Sequence, residues 1–369
     1  MTRVNSAQRV SFRPIGPSDA PDLIAINRAC PIESDFTLRF DREPDFFAWP
    51  RAVFDSYEYL GFYDGDRLVG YGLVGYREGW TGCAWTRWAY VGDLRVVPEY
   101  RGEGIARRGV VALLERVPLD VSLGFVIVKR GNAVAERLTR SFRLESVRYD
   151  RAGVLEVVNL PIRPRAADVA TVSTRPAVAA DLPASAALLR HAWEGRLFAP
   201  RVEDDGGRRL GREVDAGHAV VATRGDRLVG LMGWHDFGDA RRATILRYSA
   251  RSWPLRAAWR VARGAGVPVA ALPRPGGSLR AATVTHLAVE DDDPDIVGAL
   301  VDATMRALAG SAGHLLQVAE MRGHPLLKSL RGRCRWRFRS DVWIGWRSGA
   351  RSPVPDARHR PPFIDLAII

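Results

Sequence analysis

An internal repeat constrains the fold of this chain most strongly. The hexamer Gly-Asp-Arg-Leu-Val-Gly at residues 65–70 returns letter for letter at residues 225–230, and Ser-Phe-Arg-Pro at 11–14 has a counterpart in Ser-Thr-Arg-Pro at 173–176. Each hexamer lies between two apolar stretches, which is typical of a β-hairpin turn. A period of about 160 residues is too long for a solenoid, so we interpret the repeat as a duplicated domain.

The first copy alternates strands with helices. Strands are predicted at 10–14, 57–63, 68–77, 88–97, 121–128 and 145–158. Helices are predicted at 21–29, 105–117 and 134–142, and a loop-rich helical segment runs to about residue 59. This order predicts an α/β fold of two tandem units, each with a central mixed sheet flanked by helices. The predicted domains are residues 1–163 and 164–350, followed by a C-terminal tail at 351–369.

One segment of the first copy is shaped to bind a phosphate-bearing ligand. A strand ending near Val97 leads through Pro98 into a loop with Gly102 and Gly104, and a helix opens after that loop. Glycine removes side chains where backbone amides must face outward, and the helix N-terminus adds a partial positive charge. Arg101 adds a full positive charge to the same loop.

The same residues resemble the acetyl-CoA pyrophosphate loop of the GNAT acyltransferases. The resemblance covers residues 10–160 and is carried by Leu94, Val96, Pro98, Arg101, Gly102, Gly104, Ile105 and Ala106. It implies that CoA is bound by Leu94, Val96, Val97, Arg101, Gly102, Glu103, Gly104, Ile105 and Ala106. It also implies that the strand ending at Val97 is splayed from its neighbour and presents backbone amides to the thioester carbonyl.

A second motif, at residues 131–138, resembles the family's later CoA-binding segment. The resemblance implies that Asn132 hydrogen-bonds the CoA arm, and a helix N-cap role is compatible with it. The family often has a tyrosine one residue after the leucine of this motif, where it protonates the leaving thiolate. This chain has Thr139 there, which leaves Thr139 or Ser141 as weaker donors, water as a further alternative, and Tyr90 as another candidate acid or water organiser.

Asp93 is the candidate general base, because it lies on the strand that presents the thioester. Pairing with Arg95 or Arg87 is the alternative role, and an ordinary carboxylate deprotonates an ammonium poorly. The acceptor pocket is predicted in the aromatic-rich segment 31–59. Glu33 and Asp35 in that segment are candidates for neutralising a cationic amine.

The second copy departs from the first where CoA would bind. Its equivalent loop, Glu290-Asp-Asp-Asp-Pro-Asp295, has no glycine and repels a diphosphate. We therefore expect this copy to be degenerate and to act as a scaffold that completes the acceptor pocket or mediates a homodimer.

Two further segments of the second copy invite a structural interpretation. Residues 252–262 predict a basic amphipathic helix that packs Trp253, Leu255 and Trp259 on its neighbour, and a membrane-surface role is the alternative. Residues 331–339 alternate arginine with other residues, which predicts a strand with a solvated face or an anion-binding ladder.

The composition narrows the possible partners. The net charge is +12, and 52 of the 54 basic residues are arginine, a bias that reflects codon composition more than a nucleic-acid ligand. No apolar run reaches 18 residues, and the three cysteines fit neither a disulfide framework nor a metal site. We expect a cytoplasmic protein with no metal, no nucleic acid and no membrane partner.

These features together predict an acyl-CoA-dependent N-acyltransferase with acetyl-CoA as co-substrate. Transfer to the amine of a small molecule or peptide would be direct, because no cysteine stands in either motif as an acyl carrier. The alternative is a non-catalytic CoA-binding sensor or scaffold with the same fold, which the missing tyrosine favours.

Overall fold

Twelve strands form one continuous mixed sheet, and three others form a small sheet beside it. These counts refer to the residues that the computed structural model describes, which are 9–33, 36–163, 172–203, 210, 216–333, 336–349 and 360–368. Helices flank the large sheet, so the predicted α/β class is confirmed. The predicted linker around residues 164–171, most of the predicted tail, and Cys334 lie outside the described residues.

The first half carries eleven elements in an order that follows the prediction closely. They are β1 (Val10–Pro14), α1 (Ala20–Ala29), β2 (Phe36–Asp41), α2 (Ala48–Val53), β3 (Ser56–Asp64), β4 (Arg67–Trp80), β5 (Trp85–Val96), α3 (Ile105–Glu115), β6 (Leu123–Lys129), α4 (Ala133–Ser141) and β7 (Val147–Pro161).

The second half follows the same order in the elements that the two halves share. Its described elements are β8 (Ser173–Pro176), α5 (Leu182–Trp193), β9 (Ala219–Arg224), β10 (Arg227–Asp236), β11 (Arg242–Tyr248), α6 (Trp253–Gly264), β12 (Ser278–Leu279), β13 (Ala281–Val289), α7 (Pro294–Ala307), β14 (Leu315–Met321) and β15 (Arg337–Arg347). Of these, β11, α6 and β12 are inserted, and the described residues of this half contain no counterparts of β2, α2 and α4. Gly65 and Gly225 occupy the same left-handed position in the two repeated hairpins, at φ +61° and +60°. Glycine adopts this conformation without the steric cost that other residues incur, so the shared hexamer builds the same turn twice.

The order of strands in the large sheet shows that the two halves exchange their last strands. It reads β1-β3-β4-β5-β6-β15-β7-β14-β13-β10-β9-β8. The last strand of the second half, β15, therefore pairs with β6 of the first, while β7 of the first half pairs with β14 of the second. The two exchanged strands pair with each other at the centre. Neither half completes its sheet without the other.

The hydrophobic core of the first half depends on the same exchange. Val342 and Ile344 of β15 are fully buried in the cluster that contains Tyr59, Phe62 and Leu113. Burial of this apolar surface is the main force that holds β15 in place. The C-terminal residues Ile364, Leu366, Ala367 and Ile368 are buried in the same cluster.

The prediction for the segment before residue 59 is only partly right. Residues 36–41 form a strand, β2, rather than part of a helical segment, because they pair with β11 of the second half. That partner is about 200 residues away in sequence, and local periodicity carries no signal for such a pairing.

Two predictions in the second half need correction. Trp253 is 60% exposed rather than packed on a neighbour, whereas Trp259 of the same helix is buried as predicted, and the side chain of Leu255 is outside the described part of the structure. Residues 331–333 form a turn rather than a strand, and β15 begins only at Arg337. Three of the alternating arginines are paired with acids, Arg333 with Asp302 and both Arg337 and Arg339 with Glu156, so these three form neither a free ladder nor a bare solvated face; Arg335 lies outside the described residues. No helix in the described ranges combines the length and apolar character that crossing a bilayer requires.

Candidate active site

The cleft of the first half opens where β5 separates from β6. The two parallel strands pair only at Ala89 with Gly124 and Tyr90 with Phe125, although β5 continues for six more residues. Beyond Tyr90 the β6 side of β5 faces the cleft, while its other side stays paired with β4 as far as Val96. A strand with one unpaired edge offers its backbone amides and carbonyls to a ligand.

The loop after β5 has the backbone that its glycines predict. Gly102 and Gly104 have φ values of +86° and +77°, and Gly104 directly precedes α3. No atom lies within 4 Å of the place where a Cβ would stand at either glycine. The free backbone amides in the first turn of α3 therefore face the open space over the glycine loop. This geometry suits the binding of an anion.

The end of β5 differs from the prediction at one amide. The N–H of Val97 donates to the carbonyl of Val69 on β4 at 3.0 Å, so it is not available to a thioester. Successive residues of a strand point their amides to opposite sides, so the amide of Val96 points to the cleft side. The Val96 carbonyl on that side accepts from the Arg101 Nε at 3.0 Å and from the Cys30 Sγ at 3.5 Å. The Arg101 side chain thus folds back onto the end of β5.

The cleft has a volume of about 2220 Å³ and is lined by both halves of the chain. Every residue predicted to bind CoA lines it except Val97 and Glu103, and both candidate catalytic residues, Tyr90 and Asp93, line it as well. Residues with no binding role predicted from the sequence also contribute, above all Arg241, Leu279, Trp336, Phe338 and Trp343 from the second half and Leu366 and Ala367 from the C-terminal segment. Trp336 and Phe338 belong to the alternating segment 331–339, and the others lie outside every motif found in the sequence.

Asn132 begins helix α4 as a cap. Its Oδ1 accepts a hydrogen bond from the amide of Ala135 at 3.1 Å, and the residue is exposed at the edge of the cleft. The cap uses the side-chain oxygen and leaves the amide nitrogen for a ligand. The structural and binding roles predicted for Asn132 are therefore compatible.

Comparison with known proteins identifies the module that carries this cleft. Residues 20–142 match the model of the family described as "Acetyltransferase (GNAT) family". This part of the chain is a GNAT domain. No curated protein matches the sequence.

Solved structures place both halves in the same fold class. The chain is similar to N-myristoyltransferase from Saccharomyces cerevisiae with bound myristoyl-CoA and inhibitors, at 9% identity and a TM-score of 0.54, covering 96% of this chain and 85% of that one. It is also similar to the GCN5-related glucosamine N-acetyltransferase region of a fungal multi-domain GH3 β-N-acetylglucosaminidase, at 12% identity and a TM-score of 0.62, covering 91% of this chain and 38% of that one. The predicted GNAT family is therefore confirmed for residues 20–142, and the chain shares its fold with these two structures.

Tyr90 lies at the point where the GNAT cleft opens. Its ring stacks on Phe54 at a centroid distance of 5.8 Å and lies 5.5 Å from the ring of Phe125. The hydroxyl group lies beside Gly92, where any Cβ would clash with it. Burial raises the pKa of Tyr90 to about 12, since a phenolate is costly to bury. Tyr90 therefore keeps its proton at neutral pH.

The two weaker acid candidates are engaged within helix α4. Thr139 donates its hydroxyl to the carbonyl of Ala135 at 2.9 Å, and Ser141 donates to the carbonyl of Leu138 at 3.3 Å. These bonds within the helix direct the hydroxyl protons away from the cleft.

Asp93 lies in a buried network of arginines rather than beside an open acceptor position. Its backbone is left-handed, with φ +48°, at an irregularity in the β4–β5 pairing. The carboxylate accepts from Arg42 at 2.8 Å and from the Tyr59 hydroxyl at 3.1 Å, and Arg95 lies 3.7 Å away. Burial raises the pKa of Asp93, but the charges of Arg42, Arg95 and Arg241 lower it by more, so the net shift is downward. A carboxylate with a lowered pKa is a weak proton acceptor, and the role of Asp93 as general base stays a prediction.

Arg241 reaches this network from the second half of the chain. Its guanidinium lies 4.1 Å from the ring centre of Phe40 and 4.7 Å from that of Trp49, while Arg42 lies 4.7 Å from Trp49. Burial and the nearby charge of Arg42 lower the pKa of Arg241 to about 10. The Trp49 indole also donates to the carbonyl of Ala367 at 3.0 Å, which ties the C-terminal segment to the acceptor side of the cleft.

The two predicted acceptor acids have different outcomes. Glu33 lines the cleft, is 79% exposed and lies 3.9 Å from Arg247. Asp35 lies outside the described residues. Among the residues that the structure describes, no group of three or more His, Cys, Asp or Glu side chains is placed to hold a metal ion.

The second half has the same strand separation but a different loop. β13 and β14 pair only at their beginnings, from Ala281 with Leu315 to Thr283 with Gln317. At the end of β13, Glu290 is paired with Arg224 and Arg227, and the carboxylate of Asp293 caps α7 by accepting from the Asp295 amide. Acid side chains thus occupy the position that the glycine loop has in the first half.

The C-terminal segment is bound to this second half. Arg196 donates to the carbonyls of Pro361 and Pro362 and is paired with Glu320 at 2.7 Å. The ring of Phe363 lies 4.7 Å from that of Trp193. The chain then crosses to Trp49 in the first half, so it bridges the two copies.

Proposed function

We propose that the chain is an acetyl-CoA-dependent N-acetyltransferase whose first half performs direct acyl transfer to an amine. One observation carries the proposal: the unpaired edge of β5, the glycine loop and the N-terminus of α3 all face one cleft. The choice of acetyl rests on the description of the matched family as an acetyltransferase family.

The diphosphate of CoA would be held by the loop at residues 101–106. The empty space at Gly102 and Gly104 supports this assignment, because backbone amides can approach a ligand only where no Cβ intervenes. The dipole of α3 favours an anion at that position. We keep Arg101, Gly102, Gly104, Ile105 and Ala106 in this role.

The thioester carbonyl would lie along the free edge of β5. The amide of Val96 is the best-supported donor, since the neighbouring Val97 amide is bonded to Val69. We also assign Leu94 to this edge because it lies two residues earlier, where a strand presents its next amide on the same side. A backbone amide aimed at the developing negative charge on the carbonyl oxygen lowers the barrier without any side chain.

Acyl transfer forms a bond from the amine nitrogen to the acyl carbon and breaks the bond from that carbon to sulfur. The amine loses one proton to water, and the leaving thiolate takes one proton. We propose that Tyr90 donates the proton that the thiolate takes and regains one from water, since burial keeps it protonated and it lines the cleft where β5 leaves β6. Asp93 then acts as a positioning residue that holds Arg42 and the start of the acceptor wall.

The acceptor side of the cleft is aromatic and includes acidic and cationic groups. Phe40 and Trp49 line it with Arg241 over both rings, and Glu33 stands at its rim. Flat apolar walls with few charged groups suit the amine of a small molecule or a peptide end. We assign Glu33 to attraction of a cationic amine.

A non-catalytic CoA-binding sensor or scaffold is the second candidate. Thr139 stands at the position of the family tyrosine, and its hydroxyl and that of Ser141 are both bonded within helix α4. Two measurements separate the candidates: calorimetry with acetyl-CoA, and release of free thiol from acetyl-CoA across a library of amines. Binding with amine-dependent thiol release supports the enzyme. Binding without turnover across the library supports the sensor, and an absence of binding contradicts both.

A further inference from the structure

Helix α6 presents an apolar face that no described part of the chain covers. Trp253, Ala257, Val261 and Gly264 are all exposed, with Trp253 at 60% and Val261 at 71%. Helix positions are about 100° apart, so residues spaced by four, four and three lie on one side. Pro254 and Ala258 are exposed beside them, which widens this side. We call this set the α6 face.

The helix is anchored on its opposite side, so its exposed side is presented in a defined way. Trp259 is buried against Phe36, Ile245 and Leu279, and its indole donates to the carbonyl of Ala270 at 2.8 Å. Ser252 bonds the carbonyl of Ser249 at the helix start. One tryptophan of the helix thus anchors it while the other faces outward.

The segment that contains α6 is strongly cationic. Residues 240–289 contain nine arginines and neither aspartate nor glutamate, and of these arginines Arg241 is buried beside Asp93. Arg260 and Arg263 of α6 are exposed along the edge of the apolar face, and Arg274 is exposed in the following loop. The second half has a net charge of +9 (30 basic and 21 acidic residues from 166 to 369), so this segment accounts for all of that excess.

We propose that the α6 face docks on an anionic lipid bilayer. A helix that lies in a membrane interface needs an apolar side with an aromatic residue and arginines along its edge, and anionic headgroups attract those arginines. The charge pattern disfavours a second copy of this chain, because two such faces would bring arginines together without carboxylates to pair them. It also disfavours a nucleic acid, because the centre of the face is apolar rather than cationic.

The location of α6 connects this docking to the cleft. Ser249 and Ala250, just before α6, line the cleft, and so do Ser278 and Leu279 after the inserted loop. A bilayer against α6 would therefore lie beside the cleft rim. The inference goes beyond the proposed acyl transfer, and it replaces our sequence-based expectation that the protein has no membrane partner with surface docking.

Sedimentation of the full chain with lipid vesicles tests the proposal. We expect binding to vesicles of phosphatidylglycerol and phosphatidylcholine in equal parts, and no binding to pure phosphatidylcholine. Replacement of Arg260 and Arg263 by glutamine should weaken binding by on the order of tenfold, since each surface charge contributes to attraction by anionic lipid. Trp253→Ser should weaken it as well.

Matched controls test whether vesicle binding depends on the α6 face or on any exposed arginine or leucine. Arg148→Gln with Arg322→Gln removes two exposed arginines elsewhere, and Leu119→Ser removes a leucine that is 85% exposed on another loop. Neither control should change vesicle binding, and circular dichroism should show that all variants are folded.

Three outcomes would overturn the proposal. The first is an absence of sedimentation with anionic vesicles, or an equal loss in the control variants. The second is binding to duplex DNA or RNA that needs Arg260 and Arg263 but not Trp253. The third is a dimer in analytical ultracentrifugation that Trp253→Ser dissociates. Because none of these measurements depends on turnover, they test docking separately from the acyltransferase proposal.

Discussion

Arg42 donates a 2.8 Å hydrogen bond to Asp93 beneath the cleft, and both side chains are at most 5% exposed. The pair joins the residue after β2 to the irregularity in β5. Acyl transfer is proposed at this place. Because a buried carboxylate that is held by guanidinium groups is a weak proton acceptor, we propose a structural role for Asp93.

Replacement of Asp93 by asparagine should lower the free energy of unfolding without changing the backbone conformation. Asparagine tolerates the left-handed φ of +48° at this position, so the main effect is the loss of charge. Arg42 would then lack its carboxylate, and breaking a buried pair in this way costs about 3–5 kcal/mol of folding free energy. Urea denaturation measures this loss, and Asp93→Asn combined with Arg42→Met should recover part of it. A fully stable single variant without activity would instead restore Asp93 as the general base.

Low pH should destabilise the protein by protonating carboxylates that are paired with arginines. The charges of Arg42, Arg95 and Arg241 outweigh burial at Asp93, and the bonds to Arg339 and Arg337 outweigh burial at Glu156, so both pKa values lie below their usual range. A carboxylate with a lowered folded pKa stabilises the fold above its unfolded pKa, and this stabilisation is lost as the pH falls through the folded value. We expect the free energy of unfolding to fall below about pH 4. Denaturant titrations across acidic pH measure it, and the slope should be smaller in Asp93→Asn.

Tyr90→Phe should lower kcat while leaving acetyl-CoA binding unchanged. Removal of a positioned acid costs roughly 100-fold in rate, whereas the ring packing on Phe54 and Phe125 is retained. Thiol release at saturating amine gives kcat, and calorimetry gives the dissociation constant. Tyr71→Phe is the matched control, since its buried hydroxyl has no partner among the described residues and does not line the cleft. Equal kcat values for Tyr90→Phe and the native chain would remove Tyr90 from the mechanism.

Gly104→Val should weaken acetyl-CoA binding by about 10- to 100-fold, the loss expected when charge-assisted hydrogen bonds to the diphosphate are removed. A valine at φ +77° strains the loop and fills the open space over the first turn of α3. Gly225→Val is the control, because its φ of +60° and open surroundings impose similar strain on a hairpin far from the loop. Calorimetry compares the two variants. Unchanged affinity in Gly104→Val would refute the proposed diphosphate position.

The first half alone should not fold. A fragment of residues 1–163 lacks β15, so β6 loses a neighbour and the core loses Val342 and Ile344. We expect a fragment without native circular dichroism, and recovery of folding and acetyl-CoA binding when residues 164–369 are co-expressed. A stable, folded fragment of 1–163 that binds acetyl-CoA would show that the exchange of strands is dispensable.

Much of this protein follows from local sequence alone. The hexamer at 65–70 and 225–230 requires the same glycine turn twice. An open loop before a helix is likewise indicated by the order Pro98, Arg101, Gly102, Gly104. Both features depend only on backbone conformation within a few residues. The elements of the first half follow for the same reason, since hydrophobic period and glycine position are local signals.

Only the tertiary structure decided which strands exchange and what surrounds the catalytic candidates. β2 pairs with β11, β15 enters between β6 and β7, and Arg241 joins Asp93, all between residues far apart in sequence. Such partners are selected by burial and by pairing of charges in three dimensions, and the sequence near Asp93 or Phe36 carries no record of them. For this reason the glycine loop and the helix after it could be predicted from sequence, whereas the arginines around Asp93 and the residues that the second half adds to the cleft could not.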